Sequence, residues 1–132
     1  MRLPDKPSEL IRLAIKDLEL CEADPRYVIA MGHWHNPGAA VCYVCLAGSV
    51  MANTLGTDHK RFMNPALFGD RVAPQLDALY NFKSGDVKRG AEWLRVETKL
   101  KDRRPASYHS DSPAAFKTAM LAMADEFEQE GN

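Results

Sequence analysis

Apolar residues recur with helical spacing in four stretches of the chain and crowd together without spacing in a fifth. Leu10, Ile11, Ala14, Leu18 and Cys21 share one face of a helix that runs from an N-cap at Ser8 to about Ala23, where Asp24-Pro25 ends it. Val72, Leu76 and Leu79 mark a second helix over 70–82, with Pro74 in its first turn. Val87, Ala91 and Leu94 mark a third, joined to the second by Lys83-Ser84-Gly85-Asp86. Phe116, Met120, Met123 and Phe127 mark the last, opened by Ser112 as N-cap and Pro113 in the first helical position.

The fifth stretch is Ala39 to Leu55, AAVCYVCLAGSVMANTL, with no charged side chain. A helix that is apolar all round is buried. At this length it falls short of the roughly 20 residues that span a bilayer. The expected fold is therefore mainly α. About five helices pack around a buried central helix over 39–55, closed by Gly56 in the left-handed conformation.

Tyr27 to Met31 (YVIAM) leans towards a strand, and a short β-hairpin-like pairing with Ala106 to His109 is expected for it. One domain over 1–132 is expected. Residues 1–7, with Pro4 and Pro7, would form a flexible arm. The acids Glu126, Glu128 and Glu130 oppose the helix dipole, so 128–132 is expected to fray.

Composition narrows the function classes little. The net charge is −1, so no global field draws the chain to nucleic acid or membrane. Met1 to Glu9 is polar with no apolar run behind it, so no export signal is expected, and the expected compartment is a reducing cytoplasm. Cys21, Cys42 and Cys45 are then thiols or ligands rather than disulfides. No catalytic motif stands out, and a non-enzymatic role is expected.

Four constellations could still carry chemistry. His33, His35, Cys42 and Cys45 offer two imidazoles and two thiols, the donor set of a tetrahedral zinc site. That reading puts both cysteines on one helix face. The competing account, favoured here, is that they simply pack among Val41, Val44 and Leu46. A thiol nucleophile at Cys42 or Cys45 would need a cationic or helix-N-terminal setting, and nothing supplies an oxyanion hole.

Between Lys83 and Arg104 eight basic residues face four acidic ones. Lys88, Arg89, Arg95, Arg103 and Arg104, with Trp93 and Tyr108 to stack on bases, could hold nucleic acid. The competing account is an ordinary solvated face. Finally, Trp34 sits between His33 and His35 in a loop bounded by Gly32, Pro37 and Gly38. With His59, Arg61 and Phe62 of the apolar-rich loop 57–69, it makes a candidate partner-binding surface. Against this, Trp34 would fold over the central helix as a lid.

The run Cys42-Tyr43-Val44-Cys45-Leu46-Ala47-Gly48-Ser49-Val50-Met51-Ala52 resembles a motif of small accessory proteins of tailed bacteriophages and prophages. The resemblance extends over about 27–94. It includes the tryptophan loop Gly32-His33-Trp34-His35 and the leucine-bearing stretch from Leu76 to the Arg89-Gly90 pair. The family has no assigned activity to carry over. The resemblance implies a viral protein acting in the host bacterial cytoplasm, where it binds, and in some cases inhibits, a host enzyme or defence system. A host or phage protein is the expected partner, with nucleic acid or a bound zinc as the alternatives and no membrane.

Overall fold

A computed structural model describes residues 3–33, 35–37, 40–56, 73–84 and 106–132, of which 35, 37, 73 and 80–84 are described by their backbone alone. The described chain is mainly helical with a small sheet. In order it forms α1 (Pro7–Ala23), β1 (Tyr27–Ile29), β2 (His35–Pro37), β3 (Cys42–Val44), α2 (Leu46–Ala52), α3 (Ala73–Ser84) and α4 (Pro113–Gln129). Among the described residues there are thus four helices. The helix expected around Val87, Ala91 and Leu94 lies outside them, as do Val72 and the loop 57–69.

α1 and α4 are the longest elements, and they pack against each other. α1 buries Leu10, Ile11, Ala14, Leu18 and Cys21, the stripe read from the spacing. α4 buries Phe116, Met120, Met123 and Phe127. Ser112 Oγ accepts the Ala115 amide at 3.0 Å, and Pro113 fills a position whose amide would have had no partner inside the helix. α1 begins one residue before the expected cap. Lys6 is its N-cap, without a side-chain hydrogen bond, and Pro7 opens the helix.

The stretch 39–55 does not form one central helix. Cys42–Val44 is a strand, Cys45 is extended (φ −93°, ψ −167°), and only Leu46–Ala52 is helical. Two local forces explain the break. Tyr43 and Val44 favour the pleated conformation. Cys45 then starts the helix as its N-cap, with Sγ accepting the Gly48 amide at 3.3 Å. What survives of the expectation is burial: Leu46 through Met51 are all inside, against α1 and α3. Ser49 is tolerated there because its hydroxyl donates to the Cys45 carbonyl at 2.8 Å. Asn53 caps the end and Gly56 turns the chain at φ 68°.

β1 does not pair with 106–109. It runs parallel to β3, with Tyr27 opposite Cys42 and Ile29 opposite Val44, and β2 lies antiparallel on the far side of β3. The sheet order is β1-β3-β2. The 106–109 segment meets the chain two residues past β1, where the Met31 amide donates to His109 Nε2 at 3.2 Å. A buried central partner outcompetes an exposed turn for the strand's backbone groups.

The described residues before α1 and after α4 are tied to the rest of the fold. Leu3 is in the core, and the Gln75 side-chain amide donates to the Pro4 carbonyl. At the other end Gly131 takes φ 85°, its amide donates to the Glu128 carbonyl (3.0 Å), and the Asn132 amide donates to the Phe127 carbonyl (2.8 Å). That is a Schellman closure, which satisfies the last carbonyls despite the acidic turn. No helix among the described residues is long and apolar enough to cross a membrane.

Candidate binding surface

The sheet has an inner and an outer face because side chains alternate along each strand. Cys42 and Val44 point inwards and are fully buried; Tyr43 between them points out and is 37% exposed. Register then fixes its neighbours. Val28 of β1 and Asn36 of β2 are both directly opposite Tyr43, so the three share the outer face. Val28 is 42% exposed. The His33 ring sits 5.8 Å from the Tyr43 ring, tilted by 39°, and the Asn36 side-chain amide donates to His33 Nδ1 at 3.1 Å. The result is a row of one aliphatic, one aromatic and one amide side chain, with an imidazole held at its edge.

Of the residues singled out by sequence for partner binding, His33 is therefore placed on this face. His35 lies on β2 opposite Val44, described by its backbone. Trp34, His59, Arg61 and Phe62 lie outside the described residues. So do Lys88, Arg89, Arg95, Arg103 and Arg104 of the basic segment. Tyr43 and Val28 were missed, because a helical reading of 39–55 buries Tyr43 and pairs the strand of Val28 with 106–109 instead of with Cys42–Val44. The signal was present as the alternation Cys42-in, Tyr43-out, Val44-in, which three residues are too few to establish.

The cysteines go elsewhere. Cys42 packs with Cys21, Val44 and the half-buried Tyr27, on the opposite side of β3 from the His33–Tyr43 pair. Cys45 belongs to the main core beside α2 and spends its sulfur on the Gly48 amide. The shared helix face that motivated a zinc site is not formed, since a strand carries Cys42 and a cap carries Cys45. Among the described residues no group of three or more His, Cys, Asp or Glu side chains is placed to hold a metal ion. Burial pushes the Cys21 thiol up from its ordinary value, so it stays protonated and unreactive; an amide hydrogen bond from Asn53 at 3.1 Å only partly offsets this.

A second polar group ties α1 to α4. Glu22 of α1 accepts the Tyr108 hydroxyl at 2.5 Å and an ion pair from Lys117 of α4. Tyr108 packs edge-on against Phe116, ring centres 5.7 Å apart. Burial, and then the Glu22 carboxylate, raise the Tyr108 phenol well above its usual range. This cluster is structural: each group is committed to another.

No family model, curated protein or solved structure matches the chain.

Proposed function

We propose that the chain is a non-enzymatic, phage-type accessory protein that binds a protein of its bacterial host, such as a defence factor, in the host cytoplasm. The observation that carries this reading is the outer sheet face. Four large apolar side chains are exposed among the described residues, Leu20, Val28, Tyr43 and Leu121. Scattered exposed apolar groups need no explanation. Val28 and Tyr43, however, are paired across neighbouring strands. Tyrosine is enriched at binding hot spots because its ring buries a large area and its hydroxyl still finds a partner. Trp34 follows His33 directly in the sequence. The resemblance of the Cys42–Ala52 run to phage accessory proteins supports the same class of function.

The test is affinity capture from bacterial lysate, followed by reconstitution with the purified captured protein. Tyr43→Ala and Trp34→Ala should each weaken the reconstituted complex by tenfold or more, while Leu121→Ala, on α4, should leave it unchanged. A complex indifferent to Tyr43 and Trp34 would exclude this surface as the binding site.

A further inference from the structure

Asp17 is an acid in the wrong place. It sits in the middle of α1 and is 3% exposed, and carboxylates are almost never fully buried without a paired cation. Among the described residues no lysine, arginine or histidine is paired with it. Its partner is Thr54, two residues past the end of α2, whose hydroxyl donates to Oδ2 at 2.5 Å and whose backbone amide also acts on the carboxyl. Beside it the Asn53 side-chain amide donates to the Asp17 carbonyl at 3.2 Å, to Cys21 Sγ at 3.1 Å and to the Ser49 carbonyl at 3.0 Å. These bonds fasten the end of α2 to α1, immediately before Gly56 redirects the chain towards the segment bearing His59, Arg61 and Phe62.

Among the described residues, few groups face the Asp17 carboxyl. Asn53 and Thr54, from the end of α2, are uncharged. On α1 itself, Lys16 is adjacent in sequence and exposed, and Cys21 one turn on is a thiol kept neutral by burial. We propose that Asp17 and Thr54 form a protonation-controlled clasp, closed most firmly when the carboxyl is neutral and loosened when it ionises.

The direction follows from linkage. Desolvation raises the Asp17 carboxyl above its ordinary value, and the Thr54 hydrogen bonds offset only part of that. Once the turn opens, the carboxyl meets water and titrates near the ordinary value of about 3.9. The closed form therefore holds the proton more tightly than the open form. Opening becomes easier as pH rises from the open-state value to the closed-state value, by about tenfold for each pH unit between them, and is constant beyond.

Two measurements on the whole chain test this. The first is the side-chain carboxyl carbon of Asp17, followed by NMR from pH 3 to 8. It should titrate above about 3.9; a midpoint at or below that value overturns the proposal. The second is hydrogen exchange at the Asn53, Thr54 and Leu55 amides, corrected for intrinsic pH dependence. Opening there should rise with pH across the same window and should be more frequent at every pH than opening at the amides of Phe116 to Met123 in α4, which need the whole core to unfold. Asp17→Asn keeps an oxygen to accept from Thr54 but cannot ionise, so its exchange should be flat. Exchange at 53–55 that follows α4, or that is equally pH-dependent in Asp17→Asn, overturns the clasp. Should that variant fail to fold, the carboxyl titration decides alone.

Discussion

The main-chain oxygen of Asn132 accepts both the Ser8 hydroxyl, at 2.9 Å, and the Ser8 amide, at 3.3 Å. Ser8 stands in the first turn of α1, where amides have no partner within the helix and where Lys6 supplies no side-chain cap. The turn that ends α4 thus completes the start of α1. Ser8→Ala removes the hydroxyl bond and leaves the amide bond. It should cost about 1 kcal/mol of unfolding free energy in urea titrations. Deleting Gly131 and Asn132 removes both bonds and the Schellman closure, and should cost more than Ser8→Ala. Equal stability of wild type and truncation would show that the closure contributes nothing.

The α1–α4 core makes a second quantitative claim. Phe116 and Phe127 are among the largest fully buried side chains, and α4 presents them on one stripe with Met120. Phe127→Ala should lower stability by about 3–5 kcal/mol, through lost burial and the cavity left behind. Leu121 lies on the same helix but is 39% exposed, so Leu121→Ala should cost well under that, within about 1 kcal/mol. Thermal or urea unfolding of the two variants checks the contrast, and similar losses would put the core in the wrong place.

This stripe could be read from sequence, and the reason bears on what could not. α4 has polar positions between its apolar ones, so the helical period shows, and Ser112-Pro113 marks its start. α1 is legible for the same reason. Residues 39–52 contain no charge to mark an outside, so a strand, a cap and a short helix read alike as one buried helix. Cys45 is an unfamiliar N-cap, since sulfur is a weaker acceptor than the oxygen of Ser, Thr, Asp or Asn. The parallel pairing of Tyr27–Ile29 with Cys42–Val44 is non-local and leaves no spacing signal. As a result, His33 could be singled out from its loop, while its ring neighbour Tyr43 could not. The closing turn did carry one sign in the sequence, Gly131 two residues past the end of α4.

Tyr108 sets an alkaline limit on stability. Its phenol is held above the usual range by burial and by the Glu22 carboxylate. Tyr27 is likewise pushed up, to about 12, chiefly by burial. In the unfolded chain both titrate near 10. Between pH 10 and the native values the unfolded chain releases protons that the folded chain keeps, so stability must fall as pH rises. The unfolding midpoint should begin to decline above about pH 8.5, where the buried Cys21 thiol would ionise only in the unfolded chain, and should fall more steeply above about pH 10 as the two phenols join it. Tyr108→Phe should shallow that decline, at the cost of the hydroxyl bond to Glu22 at all lower pH values. An unchanged alkaline slope in Tyr108→Phe would mean that Tyr108 titrates as an exposed phenol.

Cys45 separates a packed thiol from a metal ligand. Its sulfur accepts the Gly48 amide as the cap of α2, while Cys42 lies across β3 from the His33–Tyr43 pair. A serine at position 45 keeps an acceptor for the same amide and is a stronger capping group than a thiol. Cys45→Ser should therefore stay within about 1 kcal/mol of wild type, the gain in capping offsetting the cost of a hydroxyl in an apolar site. Cys45→Ala loses the cap and should be the less stable of the two. A zinc site built from His33, His35, Cys42 and Cys45 makes the opposite forecast. Serine would remove a thiolate ligand, and a chelator would lower the melting temperature of the wild-type protein steeply, because binding energy at a structural site is folding energy. On the geometry of β3 and α2, a chelator should leave the melting temperature of wild type and of Cys45→Ser unchanged. Elemental analysis of protein purified without a histidine tag should find less than one-tenth of a zinc per chain.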